Sequence, residues 1–196
     1  MTLIQIDDSS QNYGGNRQGM TEKDTFSGKG RSQQLGRMGE YAVMAQLLSK
    51  SWVANVYSPA ADTGVDLVLL TTEKKLSKIQ VKTSRIYETG GSWFNNISQR
   101  HLREDSTQPD MFYVLAEGHP PSDFLVFPAQ VLLNLFQSQF VGTCHDRLVK
   151  FEAGFPAGKK FQFRHRGQER GGDALLQART LSKSIDKYWN NWDLLK

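Results

Sequence analysis

Between Leu35 and Lys82 the hydrophobic period of the chain switches from helical to strand-like, and this switch restricts the fold more than any other feature of the sequence. Leu35, Met38, Tyr41, Ala42, Met44, Ala45, Leu47 and Leu48 recur at three- and four-residue spacing, which predicts an amphipathic helix from Leu35 to Ser49. Gly36 and Gly39 lower its propensity but permit close approach to another element. Three short strand-like runs follow. Trp52 to Tyr57 is ended by Ser58-Pro59, Val65 to Leu70 is entered through the turn chemistry of Asp62-Thr63-Gly64, and Ser77 to Lys82 completes a hairpin with the second run.

Downstream, Asn95 to Glu104 reads as partly helical, and Met111 to Ala116 and Phe124 to Phe127 as two more strands. Pro128 suits the first position of a short helix through Gln137. Phe140 to Phe163 is mixed. Asp173 to Tyr188 reads as a C-terminal helix with Asp173 at its N-cap, and Trp189 and Trp192 are expected to pin the tail to the core. A helix, three strands, then further helices and strands predict an α/β fold, with helices packed on a mixed sheet. Residues 7 to 34, by contrast, hold only Tyr13, Met20 and Phe26 as sizeable apolar side chains, too few to offset the entropy of ordering. The expected organisation is a flexible tail over 1–34 and one domain over 35–196.

Composition excludes several classes. No apolar run is long enough for a membrane span, and the N-terminus carries acids rather than a basic-then-apolar leader pattern. The single cysteine, Cys144, allows no intrachain disulfide, which suits a reducing, cytoplasmic setting, and no activating motif surrounds it. A net charge of +4 and a pI near 9.2 permit attraction to phosphate polymers without establishing it.

Polar residues interrupt the apolar pattern at three places. Asp66 stands between Val65 and Leu67, sharing a strand face with Val68 and Leu70. Gln80 and Lys82 flank Val81 at i and i+2, so both point to one face. Glu40 neighbours Val43, Met44 and Leu47 on the helix and borders its buried stripe. Burying one such charge alone costs several kcal/mol or neutralises it, and a cluster of unlike groups or a metal ion removes that cost. Two carboxylates, the Gln80 amide oxygen and the Val81 carbonyl form an oxygen-rich set of the kind that hard cations such as magnesium prefer. Lys82, a compact positive charge, can orient a water and stabilise developing negative charge. The bland alternative is a structural Asp66–Lys82 ion pair across a hairpin, with Glu40 solvated at the helix edge.

Gly39-Glu40 on a helix, Asp62-Thr63-Gly64-Val65-Asp66-Leu67 and Ile79-Gln80-Val81-Lys82-Thr83-Ser84 together resemble the PD-(D/E)xK nuclease superfamily over about residues 35 to 127. The resemblance implies a restriction-endonuclease-like α/β fold with a mixed central sheet flanked by helices. It implies that Asp66 and Gln80 flank a metal, that Lys82 is the catalytic lysine and that Glu40 is the helix acid. It further implies magnesium, with manganese as a substitute, DNA as the partner, and hydrolysis of phosphodiester bonds. Cutting both strands of a duplex needs two sites, so a homodimer or larger symmetric assembly is expected. Gln80 departs from the superfamily pattern, which usually has an acid there, and the loss of one negative charge weakens metal affinity. It keeps open an inactive DNA-binding module of the same fold. A third alternative is a protein-interaction subunit of a defence or mobile-element system, using Trp189 and Trp192.

Outside this cluster the candidates are nucleic-acid contacts. Thr83 and Ser84 can hydrogen-bond a phosphate or simply end the strand. Arg100, with His101 and Arg103, either reaches the nucleic-acid backbone or belongs to a solvated helix face. Lys159, Lys160 and Arg164 are interleaved with Phe161 and Phe163, which suits phosphate contact plus base stacking, and equally suits a half-buried strand. His145 and His165 have no metal-ligand spacing with each other.

Overall fold

The structure, a computed structural model, describes residues 28–60, 64–86, 92–118, 121–139, 150–155, 161–166, 177–180 and 185–196. Helix α1 (Gly28–Leu48) leads into strands β1 (Val53–Tyr57), β2 (Leu67–Thr71) and β3 (Leu76–Ile86). Strand β4 (Ser92–Ser98), helix α2 (Gln99–Asp105), strands β5 (Met111–Gly118) and β6 (Pro121–Pro128) and helix α3 (Ala129–Gln139) follow. Strands β7 (Lys150–Phe155), β8 (Gln162–Arg166) and β9 (Gln177–Thr180) precede two short 3-10 turns, Asp186–Tyr188 and Trp192–Leu195.

A mixed sheet of five strands, ordered β1-β2-β3-β5-β6, forms the centre. Its pairs are antiparallel except β3 with β5, which run parallel. A parallel pair needs a crossover, and β4 with α2 supplies it. Strand β3 is long enough to serve twice. Its first part lies between β2 and β5, while Ser84 to Ile86 pair with β4 and open the antiparallel run β4-β7-β8-β9. The α/β architecture expected from the sequence, with helices flanking a mixed sheet, is what the chain adopts.

Alternation along the central strands splits the core between two faces. Leu67, Leu69, Ile79, Val81, Phe112, Val114, Phe124 and Val126 pack against Val43 and Leu47 of α1 and against Trp192 and Leu195. Met111, Tyr113, Leu115, Leu125 and Phe127 face α3, Leu102 of α2 and Tyr188. Among the described positions of α1 the buried ones are Gly39, Val43 and Leu47, four residues apart, which is a narrower stripe than the sequence suggests. Tyr41 and Leu48 lie outside it, 65% and 56% exposed.

Four local expectations need correction. The first helix begins at Gly28, seven residues before Leu35, so its first two turns carry no apolar stripe. Asp66 stands just before β2 rather than inside it. Pro128 ends β6, and α3 begins at Ala129. The stretch read as a C-terminal helix contains β9 instead, Gln177 to Thr180, because the edge of β8 offers it a ladder from Gln162↔Thr180 to His165↔Gln177. Local helix propensity is worth only tenths of a kcal/mol per residue and yields to such pairing. Asp173, with the tail over 1–27, lies outside the described residues. Trp192 packs at 5.2 Å between ring centroids on Phe124, and Trp189 makes a backbone bridge to Leu125, so the tail is pinned as expected.

Candidate active site

Strand β2 leaves β3 at Asp66, and the site is built around that departure. The last rung of the ladder is Asp66 N–H donating to the Ile79 carbonyl at 3.0 Å. Two residues on, Val81 turns its backbone toward the same edge, where β2 no longer runs. The Asp66 carboxylate takes the vacant place. Its Oδ2 accepts from the Val81 N–H at 2.7 Å and from Gln80 Nε2 at 2.5 Å. A half-buried carboxylate is thereby satisfied, and the end of the hairpin is closed by a side chain. In extended backbone a residue's N–H and C=O point the same way, so the Val81 carbonyl opens on this edge as well.

Gln80 and Lys82 share a face, as their spacing requires. Gln80 is in register with Tyr113 and Lys82 with Leu115 on β5, which places both on the α2–α3 side of the sheet. Helix α1 covers the opposite side, its Gly39 seated against the Thr83 side chain. Glu40, the next residue, is half-buried and feels the Asp66 and Lys82 charges. Its carboxyl is raised above the ordinary 4.5, chiefly by burial and next by the Asp66 carboxylate, while the Arg37 and Lys82 cations pull it down. Glu40, Asp66 and Lys82 are thus within electrostatic reach of one another, and all three, with Gln80, are half-buried.

The donors Glu40, Asp66, Gln80 Oε1 and the Val81 carbonyl suit a hard cation that keeps several waters. Among the described residues no three His, Cys, Asp or Glu side chains gather as a metal-binding group. The Gln80 amide presents its nitrogen to Asp66, and serving as a ligand requires its oxygen to face the ion instead.

Sequence spacing gave no sign of one neighbouring pair. Tyr113, beside Gln80 on the same face, donates its hydroxyl to Asp105 Oδ2 at 2.6 Å. Burial, that bond, the Asp105 charge and then Asp66 drive the phenol far above its usual range. The pair joins the end of α2 to β5, and only the crossover between β3 and β5 brings it to the site.

The expected nucleic-acid contacts fare differently. Thr83 and Ser84 both lie inward. The Thr83 hydroxyl is buried under Gly39, and Ser84, 1% exposed, accepts from Gly118 N–H at 3.2 Å, so neither presents a hydroxyl to a phosphate. The alternation of β3 explains this, since Thr83 falls on the α1 face and Ser84 in the seam where β4 joins. Arg100 lies on the solvated face of α2, paired with Glu104 at 3.0 Å. Arg164 belongs to β8 opposite Glu152. Lys159, Lys160, Asp62, Cys144 and His145 lie outside the described residues.

None of the described helices is long and apolar enough to cross a membrane. No protein-family model and no curated protein matches the chain. Among solved structures the chain is similar to a bacterial homing endonuclease, I-Ssp6803I, at 18% identity and a TM-score of 0.48, over 85% of this chain and 93% of that one. A likeness this loose assigns a role to no residue.

Proposed function

We propose that the protein is a metal-dependent endonuclease that hydrolyses phosphodiester bonds in DNA. The observation that supports this reading is the gathering of Glu40, Asp66, Gln80 and Lys82, drawn from three elements, at the edge where β2 leaves β3. An ion pair that merely closed a hairpin would not need a second carboxylate held near it against its own charge. The motif resemblance to PD-(D/E)xK nucleases points to the same chemistry.

In this reading Glu40, Asp66, Gln80 and the Val81 carbonyl hold magnesium, with manganese as a substitute. When bound, the ion neutralises phosphate charge and makes a water acidic enough to attack. Asp66 is aimed by the Val81 N–H. Lys82 directs its ammonium at the attacking water and at the negative charge that grows on the phosphate oxygens. A duplex cut on both strands calls for two such sites, and hence for a homodimer or larger symmetric assembly.

The test is incubation of the purified protein with plasmid and branched DNA, with and without magnesium. Magnesium-dependent nicking is expected, and Lys82→Ala is expected to slow it by about 10²–10³-fold with folding intact. Failure to cut any DNA form while folded would defeat the proposal. One observation favours a second reading. The Gln80 amide nitrogen already occupies Asp66, an arrangement that needs no cation, so an inactive DNA-binding module is its natural consequence. That reading expects DNA binding indifferent to both magnesium and Lys82→Ala.

A further inference from the structure

Helix α1 and strand β3 approach each other most closely between Gly39 and Thr83. A Cβ on Gly39 would lie 2.0 Å from Thr83 Oγ1, 3.1 Å from its Cβ and 3.4 Å from its Cγ2. No side chain survives at 2.0 Å, and a β-branched residue in a strand cannot swing clear, because its χ1 is restricted. The requirement is local. Gly36, one turn earlier on the same helix, has nothing within 4 Å of its own Cβ position.

The Thr83 hydroxyl is buried there and has no hydrogen-bond partner among the described residues. A buried unpaired hydroxyl has lost its hydration without a replacement bond, and valine would fill the same space without that cost. Shape, then, is what Thr83 contributes at this contact. The residues next to the two partners are Glu40 and Lys82, so any slip of α1 along or about its axis moves the Glu40 carboxylate relative to Lys82 and Asp66.

We propose that Gly39 and Thr83 form a steric latch that fixes the height and rotation of α1 on β3 and thereby holds Glu40 at the Asp66–Lys82 edge. Both are positioning residues. The inference rests on the nuclease reading of that edge, and it adds the contact that sets its geometry.

The full chain is compared as wild type, Gly39→Ala, Thr83→Ala, Thr83→Val and the Gly39→Ala/Thr83→Ala double variant. Four quantities are read: melting temperature, Mn2+ affinity by electron paramagnetic resonance titration, and kcat and KM for plasmid cleavage in magnesium. Gly39→Ala is expected to lose about 10²-fold in kcat, the cost of an ångström-scale misplacement, with KM for DNA unchanged. Its Mn2+ affinity is expected to fall about 10-fold or more. The double variant recovers part of both losses, since the 2.0 Å contact is gone and only the 3.1 Å one remains. Thr83→Val stays at wild-type kcat and Mn2+ affinity, because it keeps the shape.

If Gly39→Ala does not fold, Thr83→Ala carries the test. It is expected to lose kcat and Mn2+ affinity while its melting temperature holds. A folded Gly39→Ala with wild-type kcat and Mn2+ affinity overturns the latch, as does a double variant no better than the single one, or a Thr83→Ala indistinguishable from wild type. Any of these in a protein whose wild type cuts DNA leaves the nuclease reading standing. A wild type that neither binds Mn2+ nor cuts DNA overturns the nuclease reading, and the latch with it.

Discussion

Glu40 sits between opposing influences: burial and the Asp66 carboxylate favour its neutral form, while Arg37 and Lys82 favour the charged one. The balance raises its pKa above 4.5, so the folded chain holds this proton more tightly than the unfolded chain does. Stability from such a group is present at low pH and is lost as pH rises from the unfolded value through the folded one. Glu40→Gln fixes the neutral form. It is expected to melt higher than wild type at pH 7 without metal, with the gap closing below pH 4.5, and to have lost cleavage. A melting temperature at pH 7 equal to or below that of wild type contradicts the assignment of Glu40 to this edge. Gln80→Glu tests the neighbouring position in the opposite sense. It places a second carboxylate where Asp66 now receives an amide nitrogen. Like charges at that separation repel, so the metal-free variant should melt lower than wild type, while added magnesium should raise its melting temperature by more than it raises that of wild type. Thermal melts in both proteins, with and without the ion, read this directly.

At the scale of elements, β3 governs the site. It pairs with β2, β4 and β5, and each pairing sets one condition: the edge that Asp66 closes, the seam that buries Ser84, and the register that sets Gln80 beside Tyr113. The α1 face of this sheet is completed by the last residues of the chain. Trp192 and Leu195 join the cluster of Val43, Leu47, Phe124 and Val126, and Ser77 Oγ donates to the Leu195 carbonyl at 3.4 Å. Trp192→Ala should therefore cost about 3–5 kcal/mol in urea unfolding, as large-to-small changes in a core do. Limited proteolysis should then cut residues 185–196 first. An unchanged unfolding midpoint would show that the tail merely rests on the surface.

For the whole molecule, a net charge of +4 gives a modest general attraction to polyanions. A duplex held through about four phosphates should lose about 10²-fold in affinity between 50 and 200 mM salt. Fluorescence anisotropy of labelled DNA across that range measures the slope, and a flat line would argue for a protein partner in place of nucleic acid. The same titration followed by sedimentation reports whether two protomers assemble on one duplex.

The sequence determined the fold class and singled out the polar residues proposed for the site, because both readings depend on local periodicity. The helical stripe ahead of three short apolar runs required helices on a sheet, and Asp66, Gln80 and Lys82 stood out as polar residues in apolar runs. Side-chain alternation fixed that Gln80 and Lys82 share a face. Periodicity says nothing about what lies across the sheet or beyond a strand's end, and there the tertiary structure decided. It began β2 one residue after Asp66, at Leu67, giving that carboxylate the Val81 N–H. It turned Thr83 inward against Gly39, burying a hydroxyl that reads in sequence as a phosphate contact. It also drew Gln177 to Thr180 into a strand beside β8, against their helical composition. In each case a hydrogen bond or a van der Waals contact between residues distant in the chain outweighed a local preference worth tenths of a kcal/mol.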